Sequence, residues 1–340
     1  MSSDDILVFD LDPEWGHGRR ICDRLGLPLA GHDERRFDDG EIRVRAAVGV
    51  RGRDVYVVQP LIGDPALSAH DRLCRLLFFI AALKDASAGR VTAVVPYLAY
   101  ARQDRRSKPR DPLTLRYVAS LFEAVGTDRV MTIDVHNPAA FENAFRCPTE
   151  HLEARLLFVG HVVPMLGSDR PVVVSPDVGG VKRAERFREA LGRALGQAVD
   201  MAFLEKIRDD AGIAGGSLVG AVAGCTVIIV DDLVSTGGTL VRAAAACRAA
   251  GCRRIMAVAT HGVFAGRAAE AVGGMAADPA FAQLIVTDTI PPARLSRVGA
   301  GKLVVLEAAP LLADAIARVH GGGSIGDLLA AGPDPGRGPG

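Results

Sequence analysis

Two adjacent carboxylates, Asp231 and Asp232, end the apolar run Val227 to Val230, and Leu233, Val234, Ser235, Thr236, Gly237, Gly238 and Thr239 follow at once. A glycine-rich turn that opens a helix aims several backbone amides at one point, and threonine hydroxyls add donors, so this turn suits a phosphate monoester. Carboxylates repel phosphate, so their place beside such a turn needs a second reason. They would accept hydrogen bonds from nearby sugar hydroxyls, or hold Mg²⁺ through water. A pentose 5-phosphate satisfies both halves of the motif. The plainer alternative, a strand end whose Asp pair caps the next turn, stays open on these residues alone. Against it stands the position, because α/β sheets bind ligands at the carboxyl ends of their strands.

Five other segments carry groups able to do chemistry, each with an ordinary meaning of its own. Phe37-Asp38-Asp39-Gly40-Glu41 is a polar turn with one aromatic ring. Tyr100 to Asp104 places Arg102 and Gln103 before the basic stretch Arg105 to Arg110, which by itself reads as a solvated loop. His136, in Asp134-Val135-His136-Asn137, ends another apolar strand, where a lone histidine is usually structural. Asp177, in Ser175-Pro176-Asp177-Val178-Gly179-Gly180, reads as a helix N-cap. Lys206 and Arg208 lie two apart in a segment with little apolar periodicity. No GxxxxGK[ST] occurs, so a nucleotide would not sit on a P-loop. The GxGxxG at Gly321, Gly323 and Gly326 follows a helical pattern ending at His320, whereas a dinucleotide fingerprint follows a strand.

The elements that must position these groups are short β-branched runs alternating with helical segments: 55–58, 91–95, 130–133, 172–174, 227–230 and 255–258. That alternation predicts an α/β fold with largely parallel, buried strands. Val55 to Gln59, a helix ending at Ala88-Gly89 and the strand Arg90 to Val94 resemble Val227 to Asp231, a helix ending at Ala250-Gly251 and Arg254 to Val258. Either the chain is duplicated or these are two ordinary βαβ units. A length of 340 residues with 49% apolar content fits two domains, and forty basic residues against forty acidic ones leave no net field toward nucleic acid or an anionic membrane. No apolar run reaches the roughly 18 residues of a membrane span, so a soluble, cytoplasmic protein is expected. Six scattered cysteines lack CxxC spacing and are expected to be buried free thiols.

The stretch Val227 to Thr239 resembles the phosphoribosyl-binding motif shared by type I phosphoribosyltransferases and ribose-phosphate diphosphokinases. From Phe37 to His320 the chain is similar to the second family. That resemblance implies two tandem phosphoribosyltransferase type I-like domains, each a mainly parallel sheet flanked by helices: an ATP-side domain at 1–153, a ribose-5-phosphate-binding domain at 154–320, a segment at 321–331 packing on the first domain, and a disordered tail at 332–340. It implies transfer of the β,γ-diphosphoryl group of Mg-ATP to ribose 5-phosphate, with Mg²⁺ as cofactor and a dimer-based homo-oligomer, up to a hexamer. By the same resemblance Phe37, Asp39, Glu41, Arg102, Gln103 and His136 contact ATP, and His136 and Asp177 attend the metal. Asp231, Asp232, Ser235, Thr236, Gly237, Gly238 and Thr239 hold ribose 5-phosphate, while Lys206 and Arg208, on a mobile loop, act on the transferring group. The chain departs from the family where Ser235 replaces an acidic residue, at Asn137 to Asn143 and at Ser324 to Leu328. A phosphoribosyltransferase and a non-catalytic regulatory homologue are the competing readings.

Overall fold

The computed structural model describes residues 5–209, 212–291 and 301–332, with the side chains of 206–216 outside the described residues. The expected disordered tail lies outside them too, beyond Gly332. The chain forms two units: the first runs to Glu153 and takes up the chain again from Ala308, and the second is Ala154–Glu307.

In the first unit β1 (Ile6–Asp10), β4 (Asp54–Val58), β5 (Arg90–Val95), β6 (Arg129–Ile133) and β7 (Thr149–Leu152) make one sheet in the order β1-β4-β5-β6-β7, parallel throughout. All but the edge strand β7 read as largely apolar runs because α1 (His17–Leu25), α2 (Ala69–Asp85), α3 (Thr114–Ala124) and α4 (Pro138–Ala144) cover the sheet. Every residue of β4 is buried. A separate antiparallel ribbon, β2 (His32–Arg36) with β3 (Ile42–Ala46), alternates half-buried and exposed positions, as expected when one face packs and the other meets water.

The second unit opens with α5 (Arg155–Leu166). Its sheet runs β10-β9-β8-β11-β12-β13-β14, built from β8 (Pro171–Ser175), β9 (Asp200–Asp209), β10 (Gly212–Val219), β11 (Thr226–Val234), β12 (Arg254–Gly262), β13 (Phe281–Thr287) and β14 (Leu303–Leu306). Only β10 is antiparallel among these pairings. Helices α6 (Val181–Leu195), α7 (Gly238–Ala249) and α8 (Ala268–Ala276) complete the unit.

Helix α9 (Ala309–Gly321), expected in the second domain, belongs to the first unit and packs on α1. It buries Leu311, Leu312 and Ile316, and its buried Asp314 accepts two 3.1 Å hydrogen bonds from Arg24 of α1. Adjacency in sequence favoured the second domain, but the buried acid of α9 is paired with a cation of α1 in the first. Helix α10 (Ile325–Ala331) then packs on α9 and β7 with Leu328 buried, so this segment lies with the first unit. Among the cysteines Cys74 is exposed, against expectation, while Cys22, Cys225, Cys247 and Cys252 are buried.

Strand register decides in favour of duplication. Val55 pairs with Val91 and Val227 with Ile255, the residues that the sequence repeat aligns. After each crossover helix comes a left-handed residue, Ser87 (φ 66°) or Gly251 (φ 80°), and after each following strand a left-handed aromatic, Tyr100 (φ 66°) or Phe264 (φ 44°). Tyr100 and Phe264 stand at the same remove from Arg90 and Arg254. The Asp134 amide donates to the Leu152 carbonyl at 2.8 Å, and the Asp288 amide to that of Leu306 at 3.0 Å. Two unrelated βαβ units have no reason to share a left-handed aromatic at the same remove from the strand.

Candidate active site

In the second unit, β11 continues through both carboxylates to Val234, still paired with β12. Asp232 is buried and Asp231 half-buried, with the Asp232 amide donating to Asp231 Oδ1 at 2.9 Å. Burial first, and the charge of Asp232 second, hold the Asp231 carboxyl well above the ordinary carboxylate range. Arg183, from the first turn of α6, offsets part of this, its Nη1 lying 3.6 Å from Asp232 Oδ1 and 3.9 Å from Asp231 Oδ1. A Cβ on Gly180 would come within 2.9 Å of Ser175 Oγ, 3.7 Å of Asp177 Oδ1 and 4.0 Å of Arg183 Nη1, so Asp177 belongs to the same neighbourhood. Asp177 also performs the bland role foreseen for it, accepting from the Gly180 amide at 3.0 Å.

The phosphate turn follows. Gly237 is left-handed at φ 80° and caps α7, and a Cβ there would stand 3.2 Å from that of Ala271 on α8, so glycine is required twice over. The loop after β12 pins the turn, the Phe264 amide donating to the Val234 carbonyl and the Ala265 amide to the Ser235 carbonyl. Thr236 is exposed, Ser235, Gly238 and Thr239 are half-buried, and Arg242 donates to Thr239 Oγ1 at 3.3 Å. Lys206 and Arg208 are on strand β9, not on a loop, with backbones paired to Gly216 and Ile213 of β10. The contacts of their side chains lie outside the described residues.

In the first unit, Phe37, Asp39 and Glu41 form the tip of the β2–β3 ribbon. The Phe37 amide bonds the Glu41 carbonyl at 2.9 Å, Asp39 accepts from the Glu41 amide at 3.1 Å, and Gly40 takes φ 92°. Arg35 lies over the Phe37 ring at 4.8 Å. Left-handed Tyr100, whose hydroxyl meets His70 Nδ1, sets the turn that carries Arg102 and Gln103. Asn137 donates to Asp104 at 2.8 Å, tying that turn to the end of β6, where His136 is exposed. Arg102, Gln103 and His136 are thus brought into one neighbourhood. Nothing described bonds the ribbon tip to Arg102 or Gln103, and the two metal candidates, His136 and Asp177, lie one in each unit.

The duplication gives the acid pair and glycine turn a counterpart in the first unit, and arginine side chains fill it. Asp12 caps the 3-10 turn Pro13–Trp15 after β1, as Asp177 precedes Val178–Gly180 after β8. Gln59 follows β4 where Asp231 follows Val230 on β11. Counted back from the helix C-caps Ala86 and Ala250, Arg72 and Arg75 fall at the positions of Thr236 and Thr239. Arg72 Nε donates to Asp12 Oδ2 at 3.0 Å, and its other nitrogens reach the Ile62 and Leu67 carbonyls and Asp64. Arg75 donates to Gln59 Oε1 at 2.7 Å, to Asp12, and to Glu34 Oε2 at 3.1 Å. Asp12, Gln59, Arg72 and Arg75 are all 3% exposed or less.

Residues 6–126 match the family model described as the N-terminal domain of ribose phosphate pyrophosphokinase, and residues 213–330 match the phosphoribosyl synthetase-associated domain. The ribose-phosphate pyrophosphokinase of Wolinella succinogenes is 37% identical over 325 residues, 95% of this chain and 98% of that one. The chain belongs to the ribose-phosphate pyrophosphokinase family. The Pasteurella multocida ribose-phosphate pyrophosphokinase is 40% identical over 327 residues, 96% and 99% of the two chains. Phosphoribosylpyrophosphate synthetase from Mycobacterium smegmatis matches the structure with a TM-score of 0.82 at 33% identity, over 94% of this chain and 100% of that one.

For a ribose-phosphate pyrophosphokinase the sequence reading left out Arg183, Arg242 and the Asp104–Asn137 bond. Arg183 carried a signal: Lys182 and Arg183 stand in the first turn of α6, where the helix dipole disfavours cations, and no acid accompanies them there. Such a placement asks for carboxylates across the turn. Among the described residues no group of three or more His, Cys, Asp and Glu is arranged to hold a metal by itself. The raised Asp231 carboxyl marks a place that gains from an added cation. No described helix is long and apolar enough to cross a membrane.

Proposed function

We propose that the chain transfers the β,γ-diphosphoryl group of Mg-ATP to the anomeric hydroxyl of ribose 5-phosphate, giving 5-phosphoribosyl 1-diphosphate and AMP. The observation that carries this reading is the acid pair and glycine turn at the end of β11, in a chain alignable nearly end to end with ribose-phosphate pyrophosphokinases. The anomeric oxygen attacks the β-phosphorus, the bond to the bridging oxygen breaks, AMP leaves with that oxygen, and the hydroxyl proton passes to solvent. Little covalent work falls to the protein, so positioning and charge stabilisation dominate.

Ser235, Thr236, Gly237, Gly238 and Thr239 hold the 5-phosphate, and Asp231 and Asp232 orient the ribose hydroxyls. Phe37, Asp39 and Glu41 take the adenine, while Arg102, Gln103 and His136 take the ATP phosphates. Asp177 and His136 are offered to Mg²⁺, which neutralises phosphate charge when bound. Lys206 and Arg208 stabilise the charge that develops on the transferring group. The working enzyme is a dimer-based homo-oligomer in the cytoplasm.

Phosphorus NMR of the purified protein with Mg-ATP and ribose 5-phosphate tests the reading. AMP together with a sugar-linked diphosphate is the expected outcome. ADP would overturn the site of attack, and intact binding of both substrates without turnover would mean a non-catalytic homologue. Lys206→Ala should lower turnover by about 10² or more with a smaller change in ribose 5-phosphate affinity. Unchanged turnover would remove Lys206 from the mechanism.

A further inference from the structure

Among the described residues the β2–β3 ribbon pairs with no other strand, so beyond the Ala30 amide bond to the Val8 carbonyl at its root, side chains fix its angle to the rest of the unit. Near its base the fixing is apolar: Ala46 packs on the core, and its pair His32 lies against Phe79, ring centroids 6.1 Å apart. Further toward the tip the half-buried positions are Glu34, paired with Val44, and Ile42. Glu34 is the one acid on that inner face, and Arg75 of α2 donates to it at 3.1 Å. Arg75 is itself held by Asp12, next to β1, and by Gln59, next to β4. A chain of charge-assisted bonds therefore runs from the ends of two core strands to the ribbon, a few residues short of Phe37. Its outer member has a side chain only 20% exposed, and its inner members are almost wholly buried, so solvent screens the chain little.

We propose that Glu34, acting through Arg75, is a positioning residue for the nucleotide: it sets the angle at which the ribbon presents Phe37, Asp39 and Glu41. This rests on the reading above that the ribbon tip receives the adenine. Arg75, one of the two arginines that fill the first unit's counterpart of the ribose site, thereby holds a ligand-binding element in place instead of a ligand. Glu34 touches no substrate, so its loss should weaken ATP binding alone.

The test is steady-state kinetics on the full-length enzyme with Glu34→Ala, Glu34→Gln and, as a direct probe of the tip, Phe37→Ala. Glu34→Ala should raise KM for Mg-ATP about tenfold, leaving KM for ribose 5-phosphate, kcat and the melting temperature near their starting values. Glu34→Gln keeps an acceptor for Arg75 and should restore most of the loss. An unchanged KM for ATP in Glu34→Ala alongside a raised one in Phe37→Ala would overturn the anchoring and spare the adenine assignment. No effect of Phe37→Ala would overturn the assignment, and the anchoring with it. Parallel rises in both KM values with a fallen melting temperature would reduce Glu34 to a merely structural role.

Discussion

Asp12 and Asp177 occupy the same place in two copies of one βαβ frame, yet their surroundings are opposite. Around Asp177 stand two further acids, a half-offsetting Arg183 and a glycine turn open to solvent at Thr236. Around Asp12 stand two arginines, a glutamine and the Trp15 ring, which lies 4.4 Å from the Arg72 guanidinium. Among the described residues the second site brings Arg183 to its acid pair, whereas the first is buried and neutralised from within. The difference follows from helix length. Helix α2 has 17 residues and starts from a Ser68–Asp71 capping box, whereas α7 has 12 and starts at left-handed Gly237. The longer helix carries side chains into the space that the shorter one leaves as a phosphate turn.

Importing the first unit's residue into the second should break the comparison most sharply. Thr239→Arg would set a guanidinium beside Asp231 and Asp232, and ribose 5-phosphate-dependent turnover should fall by at least about 10², with calorimetry showing loss of sugar-phosphate binding. The reverse change, Arg75→Thr, removes one of the two arginines from buried Asp12 and should cost about 3 kcal/mol in denaturant unfolding. Retained stability would show that Arg72 alone suffices for the filled site. The mildest effect concerns Asp231→Asn. Asp231 holds its proton more tightly folded than unfolded, so above the usual carboxylate range the native state binds more protons than the unfolded one, and stability falls as pH rises over that interval. The amide cannot ionise, so melting curves should show a flatter decline with pH and a higher melting temperature at neutral pH, together with reduced turnover. A lower melting temperature at neutral pH would mean that Arg183 already balances the acid pair.

Much of this was legible in the sequence, for identifiable reasons. The apolar runs marked the parallel strands because both faces of each sheet are covered. The Asp-Asp and Thr-Gly-Gly-Thr pattern stood out because acids beside a phosphate turn are hard to explain otherwise. What stayed hidden depended on partners far along the chain. Asp314 means little until Arg24 lies against it, and Arg72 and Arg75 look like surface helix residues until Asp12 and Gln59 arrive from other strands. Lys206 and Arg208 sit where β9 turns from apolar to charged residues and its partner β10 is glycine-rich, so a loop was expected where backbone pairing gives strands.

The return of α9 to the first unit governs the order in which the molecule can be completed during synthesis. Domains generally form as units while the chain emerges, amino terminus first. Here every residue of the second unit has been made by Glu307, whereas the first still lacks the helix that covers α1 and neutralises Arg24. The half made first is finished last, and a nascent chain arrested shortly before Ala308 would expose the bare face of α1 to chaperones and proteases.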